Sequence, residues 1–349
     1  MQKKTFGING FGRIGRNSLR VWWQFHREEI ELKVINTSGS MDLAGWVHLL
    51  KYDSHYGTFS PELTFKELQT SKETTDENPV LGTLFIEDYP ITVTAQRDPA
   101  KIPWEKMSVE TVIESTGAFR TEEKANLHLQ GGAKKVLLSA PDKGGNFAVS
   151  VLGVNSTDNS ATLHSNASCT TNCVAPVAKL MAQHFGVEKA LLTTIHAYTD
   201  DQNLQDNSHK DLRRARGAAE NIVPTSTGAA KATGKVVPEF KGIFDGIAVR
   251  VPTSTGSLSD ITFVTKKDTT IEEINAMFTK AAQAPEWQGI LAVTNDPIVS
   301  SDIVGRRESS IVDLQLTQVM GGNLVKVVSW YDNEWGYANR LVETVIKIS

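Results

Sequence analysis

Thr5-Phe6-Gly7-Ile8-Asn9-Gly10-Phe11-Gly12-Arg13-Ile14-Gly15 runs from a short apolar strand into the spacing G-x-G-x-x-G. Beyond it, Leu19, Val21, Trp22 and Phe25 recur at helical intervals, and Leu32 to Ile35 forms a second apolar strand. The stretch therefore reads as a β-α-β unit with glycines at its first turn. Gly10 would permit the tight turn, Gly12 would let the backbone approach a pyrophosphate, and Gly15 would let the helix pack on the strand. Free N–H groups at the helix start would face the anion. A dinucleotide site is the expectation; the alternative is a tight turn without a ligand.

A carboxylate about 20 residues after the glycines would read the adenosine ribose. Asn36-Thr37-Ser38-Gly39-Ser40 places Thr37 there instead. Hydroxyls beside a flexible glycine can donate to a phosphate, which leans toward NADP or toward use of both NAD and NADP. Asp42 or a water is the other candidate for the ribose contact. Strand-like runs at Ile91 to Thr94, Thr111 to Glu114 and Lys135 to Leu138, with a helical stretch from Glu122 to Leu129, continue the alternation. The expected fold class is α/β, a doubly wound parallel sheet of Rossmann type. Glu114-Ser115-Thr116-Gly117 and Ser139-Ala140-Pro141 put small residues at the carboxyl edge, where such a sheet binds its ligand. Ser60 to Gly82 is polar and reads as a surface excursion.

The 349 residues suggest about two domains, and 36 Lys+Arg against 40 Asp+Glu leave a net charge of -4. That balance offers no attraction for a polyanion, so nucleic acid is not expected as the main partner. No apolar run approaches a bilayer's thickness, and the first residues carry two lysines without a leader-like apolar stretch. The expectation is a cytoplasmic chain that does not engage a membrane. Cys169 and Cys173 are the two cysteines; they lack a second ligand pair, and no metal is expected.

Ser165-Asn166-Ala167-Ser168-Cys169-Thr170-Thr171-Asn172-Cys173 precedes Val174, Val177, Ala178, Met181, Ala182 and Phe185, which have helical spacing. A thiol at that helix start is acidified by the partial positive charge there, and nearby N–H groups can hold an oxyanion. Cys173, one turn on, reads as a small buried apolar residue. A lone cysteine is usually structural, and this segment by itself leaves both roles open for Cys169.

Ala167-Ser168-Cys169-Thr170-Thr171-Asn172-Cys173 resembles the active-site signature of phosphorylating glyceraldehyde-3-phosphate dehydrogenases of type I. The resemblance continues through Asn9 to Arg16, His48 to Ser54, Pro224 to Lys231 and Trp330 to Tyr337, in family order and over nearly the whole chain. It implies a dinucleotide-binding domain over 1–168, completed by 333–349, and an α+β catalytic and tetramerisation domain on a mixed sheet over 169–332. Cys169 would attack the aldehyde as a thiolate, with His196 as its base. The implied products are 1,3-bisphosphoglycerate and NAD(P)H, formed through a hemithioacetal and a thioester.

The same resemblance gives Thr199 and Arg250 the substrate phosphate. Ser168, Arg214, Thr227 and Gly228 would hold inorganic phosphate, with Thr170 beside them. For the cofactor it implies Gly10, Phe11, Gly12, Arg13, Ile14 and Gly15 at the pyrophosphate, Asn36, Thr37, Ser38 and Arg97 at the adenosine end, and Ser115, Thr116, Gly117, Phe119 and Ser139 along its length. Asn333 would fix the nicotinamide amide, with Tyr337 nearby; a primary amide can donate to and accept from a carboxamide at once. The segment from about Asp200 to Val223 would lie between subunits of a homotetramer. Departures from the family are Thr37 in place of aspartate, Asp206-Asn207-Ser208-His209-Lys210 where NAD-dependent members read Leu-Pro before the histidine, Asp200, and the longer 60–82 region. Ser208 is shared with NADP-using members. Alternatives are erythrose-4-phosphate dehydrogenase, a reductase of the aspartate-semialdehyde type, and a nucleic-acid-binding protein using the dinucleotide groove.

Overall fold

The computed structural model describes residues 3–349. Two units separate by their internal contacts: residues up to Ser150 with Thr157–Asn166 and Ala338–Ser349, and Val151–Ser156 with Ala167–Tyr337. This division differs from the one expected from sequence in assigning 151–156 and 167–168 to the second unit and in falling within the terminal helix.

In the first unit the strands are β1 (Lys4–Asn9), β2 (Ile30–Thr37), β3 (Tyr52–Asp53), β4 (Gly57–Thr58), β5 (Leu63–Glu67), β6 (Val80–Ile86), β7 (Tyr89–Ala95), β8 (Thr111–Glu114), β9 (Lys135–Leu138), β10 (Ala148–Val149) and β11 (Leu163–Ser165). Its helices are α1 (Arg13–Val21), α2 (Leu43–Lys51) and α3 (Glu122–Gln130). Among the described residues the main sheet has the order β10-β11-β9-β8-β1-β2-β7-β6-β5, with β3 and β4 pairing separately. Pairing is parallel from β10 to β7 and antiparallel from β7 to β5. Strand order reverses at β1, which lies between β2 and β8, and the carboxyl end of that strand is where such sheets bind ligands. Phe6, Ile8, Val34, Ile35, Val112 and Ile113 are fully buried, as strands covered on both faces require.

Two local features differ from the sequence reading. The first helix widens at Trp22–His26 into a π-helical turn, where Trp22 packs against Phe6 at 6.1 Å and its indole N–H donates to Ile30 O. The polar 60–82 stretch is no mere loop: Leu63–Glu67 forms the edge strand β5, whose residues after Leu63 are exposed.

The second unit contains β12 (Val187–Ala197), β13 (Val223–Ser226), β14 (Phe244–Val251), β15 (Ser257–Thr265), β16 (Leu291–Thr294), β17 (Ser310–Asp313), β18 (Gln318–Met320) and β19 (Leu324–Tyr331). They form a mixed sheet in the order β13-β14-β12-β15-β19-β17-β16, with β18 on β19. Its helices are α4 (Cys169–Phe185), α5 (Ala229–Val236) and α6 (Ile271–Gln283); α7 (Trp335–Ile348) is the terminal helix that the unit boundary divides. α4 packs across β12, β15, β17 and β19. Alternate residues of β15, from Ser257 through Ile261 and Phe263 to Thr265, are buried. The opposite face leaves Leu191, Ile247 and Leu324 exposed. No helix among the described residues is long and apolar enough to cross a membrane.

Candidate active site

Cys169 is the first residue of α4. Ser168 caps that helix, its hydroxyl accepting from Thr171 N–H, and Ala167 before it is held at a φ of 54°, a left-handed conformation costly for a residue with a Cβ. Tyr337 donates its hydroxyl to Ala167 O at 2.8 Å, which helps to fix this turn. The bend and cap together present the half-buried sulfur over the helix N-terminus.

His196 lies near the end of β12, directly opposite Arg250 of β14 in their parallel register. Its Nε2 is 3.4 Å from Cys169 Sγ, and its Nδ1 is 2.7 Å from Ala197 O. An Nδ1–H donated to that carbonyl would leave Nε2 bare toward the sulfur, while the guanidinium of Arg250, which can only donate, faces the same Nδ1, so the ring's partners admit either tautomer. Arg250 Nη1 stands 2.5 Å from Nδ1 and donates to Ala197 O at 2.9 Å. Burial and this neighbouring cation hold the imidazole's pKa down at about 3, so the ring is neutral at pH 7. Burial also pushes the Cys169 thiol up, against the pull of Arg250 and Thr170. The pair is thus a thiol facing a neutral base, which suits nucleophilic attack assisted by proton transfer.

Tyr331, the last residue of β19, receives no role from sequence reasoning but sits at the centre of this group. Its buried hydroxyl meets Thr170 Oγ1 at 3.0 Å and Thr194 Oγ1 at 2.8 Å, and its ring lies edge-on to His196. Asn333 Oδ1 accepts from Gly256 N–H and from Ser257 Oγ, whose oxygen accepts from Ala197 N–H. Both lone pairs of that carbonyl are occupied, so Asn333 offers its amide N–H groups alone and not the paired donation and acceptance expected. Asp332 accepts from Glu334 and Trp335 N–H, which accounts for the aspartate in the Trp330 to Tyr337 motif as a helix cap.

Thr199 lies just past β12, and Thr227 and Gly228 lie at the start of α5, where Ala229 N–H donates to Thr227 Oγ1 at 3.2 Å. A Cβ built on Gly228 would meet nothing within 4 Å. Arg214 is already engaged: it pairs with Asp201 and Asp211 and donates to Thr225 Oγ1 at 2.8 Å. Ser208 is exposed, in a segment held together by Asn203 and by the Asp206–Arg216 ion pair.

The first unit carries the other group. Gly10 has a φ of 93°, and a Cβ on Gly15 would fall 2.1 Å from Gly10 O, so neither tolerates a side chain. Gly12 faces open space and precedes α1, whose first N–H groups have no side-chain cap. Arg13's side chain is bound to Asp53, and Ile14 follows it in that first turn, so both offer backbone N–H. Phe11 packs against Trp46, Ser115 donates to Gly10 O, and Phe119 packs on His128. Gly117 is exposed at a φ of 74°, and Ser139 N–H donates to Glu114 O. An uncapped helix start, an unobstructed glycine and the carboxyl ends of β1, β2 and β8 fit a dinucleotide's pyrophosphate.

Asn36 and Thr37 take internal roles. Asn36 donates to Asn9 Oδ1 and Gln96 O and accepts from Thr94 Oγ1 and Gln96 N–H, which fills its side chain. Thr37 is buried, and its hydroxyl donates to Thr94 O. Asn9 also donates to Glu114, whose carboxylate meets His128 and Thr116. This buried chain ties the ends of β2, β1 and β8 beneath the glycine turn. Pairings 27 and 105 residues apart leave no periodic trace in sequence.

Family models for glyceraldehyde 3-phosphate dehydrogenase match the chain twice, the NAD binding domain at residues 4–122 and the C-terminal domain at 168–333. The chain is 50% identical over 343 residues to glyceraldehyde-3-phosphate dehydrogenase 2 of Streptomyces avermitilis, covering 97% of each. It is 48% identical to the chloroplastic glyceraldehyde-3-phosphate dehydrogenase B of Pisum sativum, over 98% of this chain and 73% of that one. It is likewise 48% identical to glyceraldehyde-3-phosphate dehydrogenase 1 of Bacillus cereus, over 97% of this chain and 96% of that one.

Proposed function

The chain belongs to the glyceraldehyde-3-phosphate dehydrogenase family, and on that premise we propose that it converts D-glyceraldehyde 3-phosphate, inorganic phosphate and NAD(P)+ reversibly to 1,3-bisphosphoglycerate and NAD(P)H. The observation that carries this reading is the 3.4 Å pairing of Cys169 Sγ with Nε2 of the neutral His196 at a helix N-terminus. Cys169 adds to the aldehyde carbon as Nε2 takes the thiol proton. Nε2 returns that proton to the oxyanion and takes it again as the hemithioacetal carbon is oxidised. The bound dinucleotide supplies the acceptor for the hydride. Inorganic phosphate then displaces Cys169 from the thioester, releasing the acyl phosphate and the thiolate.

Arg250 and Thr199 hold the substrate phosphate, and a second phosphate competes with Asp201 for Arg214 near Thr227 and Gly228. Cofactor use extends to NADP: no carboxylate stands at Thr37, while Ser38, Ser40 and Ser208 are exposed. The assembly is a homotetramer in the cytoplasm. Exposed Leu191, Ile247 and Leu324 on one sheet face, with Leu204, Leu212 and Ile222 in the 200–223 segment, support an interface.

The test is the rate of nicotinamide reduction with glyceraldehyde 3-phosphate, with and without inorganic phosphate, using NAD and NADP in parallel. Phosphate-dependent reduction that vanishes in Cys169→Ser is expected. Turnover that ignores phosphate, or survives that substitution, overturns the assignment.

A further inference from the structure

Ser257 opens β15 opposite Tyr331 of β19 and is buried. Its hydroxyl stands between two groups of the second unit that the proposed reaction uses together. On one side, Ala197 N–H donates to Ser257 Oγ at 3.1 Å, and the carbonyl of that same residue meets His196 Nδ1 at 2.7 Å and Arg250 Nη1 at 2.9 Å. On the other, Ser257 Oγ donates to Asn333 Oδ1 at 2.9 Å.

Chemistry fixes the direction of these bonds. A backbone N–H can only donate, so Ala197 occupies a lone pair of the serine oxygen and the serine proton turns to Asn333. Gly256 N–H, 3.1 Å from the same Oδ1, is a second obligate donor, so the atom between them is the amide oxygen and not its nitrogen. Asn333 Nδ2 is thereby turned away from both. Among the described residues it has no acceptor, although Asn333 is only 6% exposed. A nearly buried amide donor without a partner is costly unless a ligand carbonyl meets it. The chain from Ala197 N–H through the serine hydroxyl to the amide points one way, and each bond polarises the next toward donation from Nδ2.

We propose that Ser257 is a positioning residue of the nicotinamide site: its hydroxyl locks the Asn333 amide so that Nδ2 meets the carboxamide oxygen of the nicotinamide, and ties that amide to the peptide that holds His196. The inference rests on the family reading of Asn333 as the nicotinamide's partner. Without the hydroxyl, Asn333 Oδ1 keeps Gly256 N–H alone, the amide is free to tilt, and Ala197 N–H loses its acceptor.

Calorimetric titration with NAD+ and with ADP-ribose, which lacks the nicotinamide, tests this without turnover. Ser257→Ala should weaken NAD+ binding about fivefold and leave ADP-ribose binding unchanged. Ser257→Cys keeps the volume but replaces the hydroxyl with a poor donor, and should lose NAD+ affinity in the same way. In an Asn333→Ala background, Ser257→Ala should change NAD+ affinity no further, because the serine acts through the amide. Equal weakening of both ligands, an unchanged affinity for NAD+, or full affinity in Ser257→Cys overturns the positioning role and leaves the family reading standing. If Asn333→Ala binds NAD+ as tightly as the intact chain does, the family role of Asn333 falls as well; if the intact chain binds neither ligand, the dinucleotide reading falls.

Discussion

His196 is set by three neighbours: Cys169 on one nitrogen, and Ala197 O and Arg250 on the other. Its chemistry depends on remaining neutral. His196→Gln removes the base, and kcat should fall by about 10² to 10⁴ with a much smaller change in KM, measured at saturating phosphate. A neutral buried histidine also gives stability a pH dependence. Its folded pKa, about 3, lies below the unfolded value, so between about pH 6.5 and 3 the unfolded chain binds the extra proton. Acid should therefore weaken the fold across that window, and His196→Gln should flatten this slope in denaturant midpoints measured at a series of pH values. Arg250 acts on the sulfur with the opposite sign. Its charge draws the thiol's pKa down against burial, so Arg250→Gln should move the pH profile of Cys169 alkylation by iodoacetamide to higher pH. A downward shift would remove Arg250 from the account of the thiol.

At the scale of elements, α4 and the ends of β1, β2 and β8 do the positioning. Asn36→Ala leaves Thr94 Oγ1, Gln96 N–H and Asn9 without their partner, and should destabilise the fold by about 3 kcal/mol while weakening nucleotide binding. Thermal and calorimetric measurements on that variant check both effects. The β-α-β unit and the helix opening at Cys169 were legible because apolar spacing, glycine geometry and an N-cap are local. β5 was not, because Thr64, Phe65, Lys66 and Glu67 lie on an exposed edge and carry no buried alternation. The π-helical turn at Trp22–His26 hides within an ordinary helical pattern. Arg250 reaches His196 only through β-sheet register across 54 residues. Tyr331 stands in a recognisable motif, but its role comes from partners on α4 and β12. Asn36 and Thr37 were expected at the cofactor, and their side chains serve the sheet beneath it.

At the scale of the whole molecule, an acidic chain has no charge balance for a polyanion, and the anion sites proposed for it are local, at helix starts and beside single arginines. The exposed apolar face of the second sheet belongs to the proposed assembly. Leu191 is 65% exposed on that face, so Leu191→Asp should place an unpaired charge in the interface and shift light-scattering mass toward smaller species. An unchanged mass would place the interface elsewhere. The central claim is that Cys169 carries the acyl group and phosphate removes it. Mixing the intact chain with glyceraldehyde 3-phosphate and NAD(P)+ in the absence of phosphate, followed by mass spectrometry of the quenched protein, tests it directly. The account requires a burst of reduced nicotinamide matched by one acyl group per chain on the Cys169 peptide, discharged when phosphate is added. Continued turnover without phosphate, or a burst with no acyl group on Cys169, would contradict it.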